Sequence, residues 1–125
     1  MYEVRVQTQF YAAHRVRLSN SQLEPIHDHD FLVEAVLRGP KLDESGVLVD
    51  FKAVQKALRR ILEPLSDTDL STAPLMAGFN PSAEHLARRL FEALSRELGP
   101  DAPLAAVYVR EAPGCFAGYV RPESE

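Results

Sequence analysis

His27 and His29 are separated by a single residue at the start of a run that alternates like a β-strand. Successive strand side chains point to opposite faces, so both imidazoles project the same way, roughly 6–7 Å apart at the backbone. Two imidazoles so placed can converge on one metal ion. His14 ends an earlier alternating run. Three histidines from two neighbouring strands would supply the three-nitrogen set, with a fourth position open, that catalytic zinc uses. On spacing alone, the same residues are equally compatible with ordinary strand histidines satisfied by hydrogen bonds.

The elements that must position them can be read from periodicity. In residues 2–14, Val4, Val6, Thr8, Phe10, Ala12 and His14 share one parity, and Glu3, Arg5, Gln7 and Gln9 share the other, the pattern of a half-buried strand. Residues 15–26 lose the alternation and read as a loop. From His27 to Arg38 a second strand places Phe31, Val33, Ala35 and Leu37 on the histidine parity, so both strands turn histidines and apolar residues to one side. Gly39-Pro40 ends it. Asp50 is a candidate N-cap for a first helix whose stripe is Phe51, Val54, Ala57, Leu58, Ile61, Leu62 and Leu65, with Pro64 expected to fray or end it by residue 63. A polar, breaker-rich connection covers 65–79. Asn80 as cap and Pro81 at the first helical position predict a second helix with Ala83, Leu86, Ala87, Leu90, Phe91, Leu94 and Leu98 inward, closed by Gly99. Leu104 to Arg110 and Cys115 to Val120 read as strands around a turn at 111–114. The order ββααββ predicts an α+β domain over 1–120, a four-stranded antiparallel sheet with both helices on one face, and a frayed tail at 121–125.

At 125 residues the chain is long enough to bury one core, and 46% hydrophobic with 26% charged residues suits a globular domain. A net charge of -4 offers no basic field for nucleic acid or an anionic membrane. No apolar run approaches the ~18–20 residues of a membrane span, and Met1 to Arg5 lack the layout of a signal peptide. The single cysteine, Cys115, cannot form an internal disulfide and is expected in the core. A cytoplasmic protein is the expectation. His85 is expected at the surface, and Glu84 as a first-turn acid complementing the helix dipole.

Five segments, in order and spread over almost the whole chain, resemble one family. Phe10-Tyr11-Ala12-Ala13-His14 is similar to its Phe-Ser-Ala-Ala-His, and His27-Asp28-His29-Asp30-Phe31 to its His-Gly-His-Asn-Tyr. Residues 46–51 resemble the Gly-Met-Val-x-Asp-Phe that opens its first helix, and residues 80–87 its Asn-Pro-Thr-x-Glu-Asn-Leu-Ala. Val107-Tyr108-Val109-Arg110-Glu111 resembles its last strand with a substrate-anchoring glutamate. The family is that of 6-pyruvoyl-tetrahydropterin synthase and 6-carboxytetrahydropterin synthase, built on the tunnelling fold (T-fold). The resemblance implies Zn2+ on His14, His27 and His29, a pterin held by Glu111, and a homohexamer of two trimers. Each trimer would close a β-barrel, with sites between subunits. On position alone, Glu111 could equally be a turn acid.

Two departures from the pattern bear on catalysis. The family's cysteine before the histidine pair is absent. Glu24 instead stands in Glu-x-x-His spacing from His27, which resembles a subgroup, known from malaria parasites and some bacteria, where glutamate replaces that cysteine. A carboxylate can take a proton as a thiolate does, although a loop glutamate is by default a solvated side chain. The family's Leu-Asp-His-x-x-Leu is matched by Leu65-Ser66-Asp67-Thr68-Asp69-Leu70, with Asp67 where the relay histidine belongs. Asp67 or Asp69 either replaces the relay or is an ordinary loop acid. Asp28, between the two ligands, points away from the metal by alternation. Three functions fit. One is a zinc-dependent lyase on the side chain of a dihydropterin such as 7,8-dihydroneopterin triphosphate, with Glu24 and Asp67 catalytic. Another is a 6-carboxytetrahydropterin synthase of the 7-deazaguanine route. The last is a pterin- or purine-binding paralogue that has lost catalysis.

Overall fold

The two long alternating runs form the two longest strands. The computed structural model describes residues 1–123, with β1 at Tyr2–His14, β2 at His27–Gly39, α1 at Phe51–Leu62, α2 at Ala83–Leu98, β3 at Leu104–Ala112 and β4 at Cys115–Val120. The strands lie in the order β1-β2-β3-β4, all neighbours antiparallel, giving the expected four-stranded sheet. Pairing of β1 with β2 runs without a bulge from Tyr2 opposite Gly39 to His14 opposite His27. Register along the whole pair therefore decides that two histidines meet at its end, because a one-residue slip would turn each side chain to the other face.

One face of this sheet carries Val6, Phe10, Phe31, Val33, Leu37 and Val107, all buried with Val54 and Leu58 of α1 and Leu90 and Leu94 of α2. α1 packs on β1, α2 on β3 and β4, and the two helices touch one another. This is the α+β arrangement that the periodicity predicts. Asp50 caps α1 as expected, its carboxylate accepting the Lys52 N–H at 2.9 Å.

Several local expectations are corrected. α2 is capped by Ser82, whose hydroxyl accepts the His85 N–H at 3.1 Å, and not by Asn80. The Asn80 side chain is committed elsewhere: it accepts the Arg17 N–H at 2.7 Å and donates to the Arg17 carbonyl at 2.9 Å. Phe51, the first residue of α1, is exposed, because the apolar stripe faces the sheet only from Val54 onward. The connection after α1 is less polar in effect than in composition. It folds into three short 3₁₀ turns that bury Leu65, Leu70 and Met76. β3 continues through Glu111 to Ala112, and a register shift between Arg110 and Ala112 lets Ala112 pair with Cys115. Cys115 thereby starts the edge strand and is exposed, outside the core. Arg121 is not frayed: its N–H bonds the Ala105 carbonyl at 2.8 Å and its Nε the Leu104 carbonyl at 2.9 Å. Residues 124–125 of the expected tail lie outside the described residues.

Leu90 is 1% exposed between α2 and the sheet. Leu90→Ala should cost about 2–5 kcal/mol of stability by lost burial plus a residual cavity. Urea denaturation followed by circular dichroism should show a lower midpoint at unchanged slope.

Candidate metal centre and adjoining cavity

The β1–β2 register places His14 and His27 side by side, and His29 follows two residues along on the same face. Phe31, fully buried, sets its ring edge-on to both His14 and His29, with centroids 5.5 and 5.4 Å apart. Phe31 thus packs against two of the imidazoles, and His27 sets its ring edge-on to those of His14 and His29, with centroids 4.5 and 4.7 Å apart.

Backbone carbonyls decide which ring nitrogens carry protons. His14 Nδ1 lies 2.8 Å from the Pro81 carbonyl and His27 Nδ1 lies 3.0 Å from the Pro25 carbonyl. A carbonyl only accepts, so both Nδ1 atoms donate, and in the neutral rings both Nε2 atoms present lone pairs. Those two Nε2 atoms stand 2.9 Å apart. His29 Nε2 is buried and makes no hydrogen bond. Burial lowers the His29 pKa below the ordinary imidazole value, against the opposing charge of Glu111, which favours the neutral ligand form. Glu111 adds a fourth acceptor, its Oε1 lying 2.6 Å from His14 Nε2, 3.3 Å from His29 Nε2 and 3.9 Å from His27 Nε2.

Four acceptors converge, an arrangement that a proton or a cation placed between them would satisfy. The donor atoms of His14, His27, His29 and Glu111 all lie within 4.8 Å of one another. In a tetrahedral complex with bonds of about 2.0–2.1 Å, ligand atoms are about 3.3 Å apart, a value the observed separations bracket. The carbonyl-fixed tautomers of His14 and His27 are also the outer-sphere arrangement typical of metal-bound histidine. The residues fit a small divalent ion.

A cavity of about 300 Å³ opens beside the cluster, lined among others by Val16, Glu24, His27, His29, Glu111 and Cys115. Glu24 reaches it through a ladder. Its N–H donates to the Val16 carbonyl at 3.1 Å, and its Oε1 accepts the Val16 N–H at 3.1 Å. The same Oε1 lies 3.5 Å from His27 Nε2. Residues 15–26 are therefore a short hairpin, with Arg17 bridged to Leu23, and no unstructured loop.

The structure thus brings His14, His27, His29, Glu24 and Glu111 together. It does not bring Asp67 to them. Asp67 is exposed, has φ 60°, and donates its backbone N–H to the Tyr11 carbonyl at 2.6 Å. Asp69 caps a 3₁₀ turn, accepting the Ser71 N–H at 2.9 Å. Asp28 faces away from the histidines and accepts from the Tyr11 hydroxyl. This bond, with burial and the charges of Asp28 and Asp67, raises the Tyr11 pKa. His85 is half-buried, where the surface was expected, and donates from Nδ1 to the Asn80 carbonyl at 2.7 Å. Sequence reasoning missed Cys115 and Val16 as lining residues. The register shift that exposes Cys115 and the ladder that turns Val16 inward leave no periodic signal.

Residues 3–122 match the family model described as 6-pyruvoyl tetrahydropterin synthase. No curated protein matches. Among solved structures, the chain resembles a 6-pyruvoyl tetrahydropterin synthase from Caenorhabditis elegans, at 22% identity over 97% of this chain and 96% of that one, with a TM-score of 0.82. It also resembles the Plasmodium vivax 6-pyruvoyltetrahydropterin synthase, at 17% identity over 96% of this chain and 97% of that one, with a TM-score of 0.79. A catalytic-residue mutant of the latter enzyme, glutamate to alanine, superposes with a TM-score of 0.80 at 16% identity over the same shares.

Changes to groups that merely orient a metal ligand cost about 10–100-fold in affinity, and loss of a ligand costs at least as much. His29→Ala should therefore bind Co2+ or Zn2+ at least about 100-fold more weakly in competition with a chromophoric chelator. Unchanged affinity would remove the cluster as the metal site.

Proposed function

Because this chain belongs to the 6-pyruvoyl tetrahydropterin synthase family, we propose that it is a zinc-dependent lyase acting on the side chain of a dihydropterin such as 7,8-dihydroneopterin triphosphate. The observation that carries the reading is the placement of Glu24, with Oε1 3.5 Å from His27 Nε2 in the cavity that His29 and Glu111 also line.

His14, His27 and His29 would hold the zinc, their Nε2 atoms converging while the Pro81 and Pro25 carbonyls fix the tautomers of His14 and His27 from behind. When bound, zinc supplies Lewis acidity toward a carbonyl or hydroxyl of the pterin side chain. Glu24 is the general base that takes a proton from the side-chain carbon. Its Oε1 is committed to the Val16 N–H and the His27 side of the cavity, which leaves the second oxygen for that proton. That the Plasmodium vivax relative's catalytic residue is a glutamate supports this role. Glu111 anchors the substrate. With Oε1 against the histidines, its other oxygen is available to the N–H donors of an aminopyrimidinone edge, a directional charge-assisted contact.

On this reading Asp67 contributes to a site completed by a neighbouring subunit of a homohexamer. β1 and β4 are the outer strands of the sheet in one chain, and pairing between chains would cover those edges.

Zinc-loaded protein incubated with 7,8-dihydroneopterin triphosphate should release a shortened dihydropterin identifiable by mass spectrometry. Glu24→Ala should lower kcat by at least about 100-fold while keeping its zinc. Turnover unaffected by that change would remove Glu24 from the mechanism. Appearance of 6-carboxytetrahydropterin would assign the other branch of the family.

A further inference from the structure

A second cavity, of about 420 Å³, lies beside the first and is lined by Arg15, Arg17, Ser71, Phe79, Asn80 and Pro81 among others, with no acidic residue in its wall. In a chain of net charge -4, this concavity bears two arginines and no carboxylate. Neither guanidinium has a carboxylate within the 4.0 Å of an ion pair among the described residues. Both are nevertheless oriented. Arg15 Nε donates to the Glu24 carbonyl at 3.2 Å, and Arg17 Nη1 to the Ser21 carbonyl at 3.3 Å. A guanidinium has five N–H donors, so each keeps most of them for a ligand.

The backbone beneath them is fixed as well. The Arg15 N–H donates to the Ser71 hydroxyl at 3.1 Å, and Asn80 clamps both backbone groups of Arg17. The two cavities are lined by alternate residues of the same segments. Arg15 and Arg17 face one while Val16 faces the other, and Pro81 lines one while Ser82 lines the other.

We propose that this second cavity binds the phosphate chain of a phosphorylated substrate, with Arg15 and Arg17 as its specificity-determining contacts. Planar, permanently charged guanidinium forks match phosphate oxygens two at a time, and charge-assisted bonds of this kind are the stronger ones. That the rest of the substrate is a pterin in the adjoining cavity rests on the function proposed above. The affinity of the arginine cavity for a phosphate chain does not.

The probe is tripolyphosphate in excess magnesium, titrated calorimetrically into the zinc-loaded protein. Wild type should bind it, and Arg15→Gln/Arg17→Gln should bind at least tenfold more weakly. Lys56→Gln/Arg59→Gln on α1, which removes the same charge elsewhere, should change affinity less than twofold. Circular dichroism and zinc content of each variant confirm an intact fold. No binding by wild type, or equal loss in both double variants, overturns the site. With 7,8-dihydroneopterin triphosphate as substrate, the arginine variant should raise KM at least tenfold with little change in kcat, and the triphosphate-free pterin should show no such difference. Tripolyphosphate binding without pterin turnover would overturn the lyase reading alone. Turnover with an unchanged KM in the arginine variant would overturn this one.

Discussion

Two backbone carbonyls set the chemistry of this molecule. By accepting from Nδ1 of His14 and of His27, Pro81 and Pro25 force the far nitrogens of both rings to face one another as lone pairs 2.9 Å apart. With His29 Nε2 and Glu111 Oε1 added, four acceptors share one small volume. Acceptors at such distances repel unless a proton or cation lies between them, and partial burial weakens the screening that water would provide. A small divalent ion held between them would relieve that repulsion.

Its placement follows from ordinary packing. The thirteen-residue ladder of β1 and β2 is held in register by an apolar face that α1 and α2 cover, and the histidines continue that face past the point where helices shield it. Phe31 joins the two regimes, buried in the core and edge-on to two of the histidines. The loop before α2 closes the site from the other side, since Pro81 orients His14 while Asn80 fixes Arg17. A single stretch, 80–82, thereby joins helix start, histidine cluster and second cavity.

Much of this was legible in the residues. Period-two alternation located β1 and β2 because the helices cover one face of the sheet. Pro103 and the turn residues at 111–114 marked out β3 and β4, and the i, i+3, i+4 stripes located both helices. The three histidines were legible for the same reason, since parity alone puts them on one face. What escaped was local competition for hydrogen-bonding groups. Asn80 has the chemistry of a cap, yet Arg17, remote in sequence, claims its amide and leaves the cap to Ser82. Cys115 has apolar neighbours in sequence, yet the shift after Arg110 makes it the start of an edge strand. Glu111 was expected to face substrate, and its contact with all three histidines depends on β3 running further than its apolar pattern. Asp67 sits apart from the cluster within one chain, which no reading of a single sequence reveals.

The hairpin at 15–26 sets limits on how the length of this chain can vary. Its tip at Asn20 and Ser21 is exposed, with Ser21 already at φ 68°, and ties mainly to its own neighbours. Residues added there lie beyond the Arg17–Leu23 bridge and leave the ladder below undisturbed. The three-residue interval from Glu24 to His27 has no such slack. Glu24 is pinned to Val16 and His27 to His14, so one added or deleted residue must break one ladder or turn one side chain from the cavity. Natural length variation in proteins built this way should therefore gather at the hairpin tip and spare the interval beneath it.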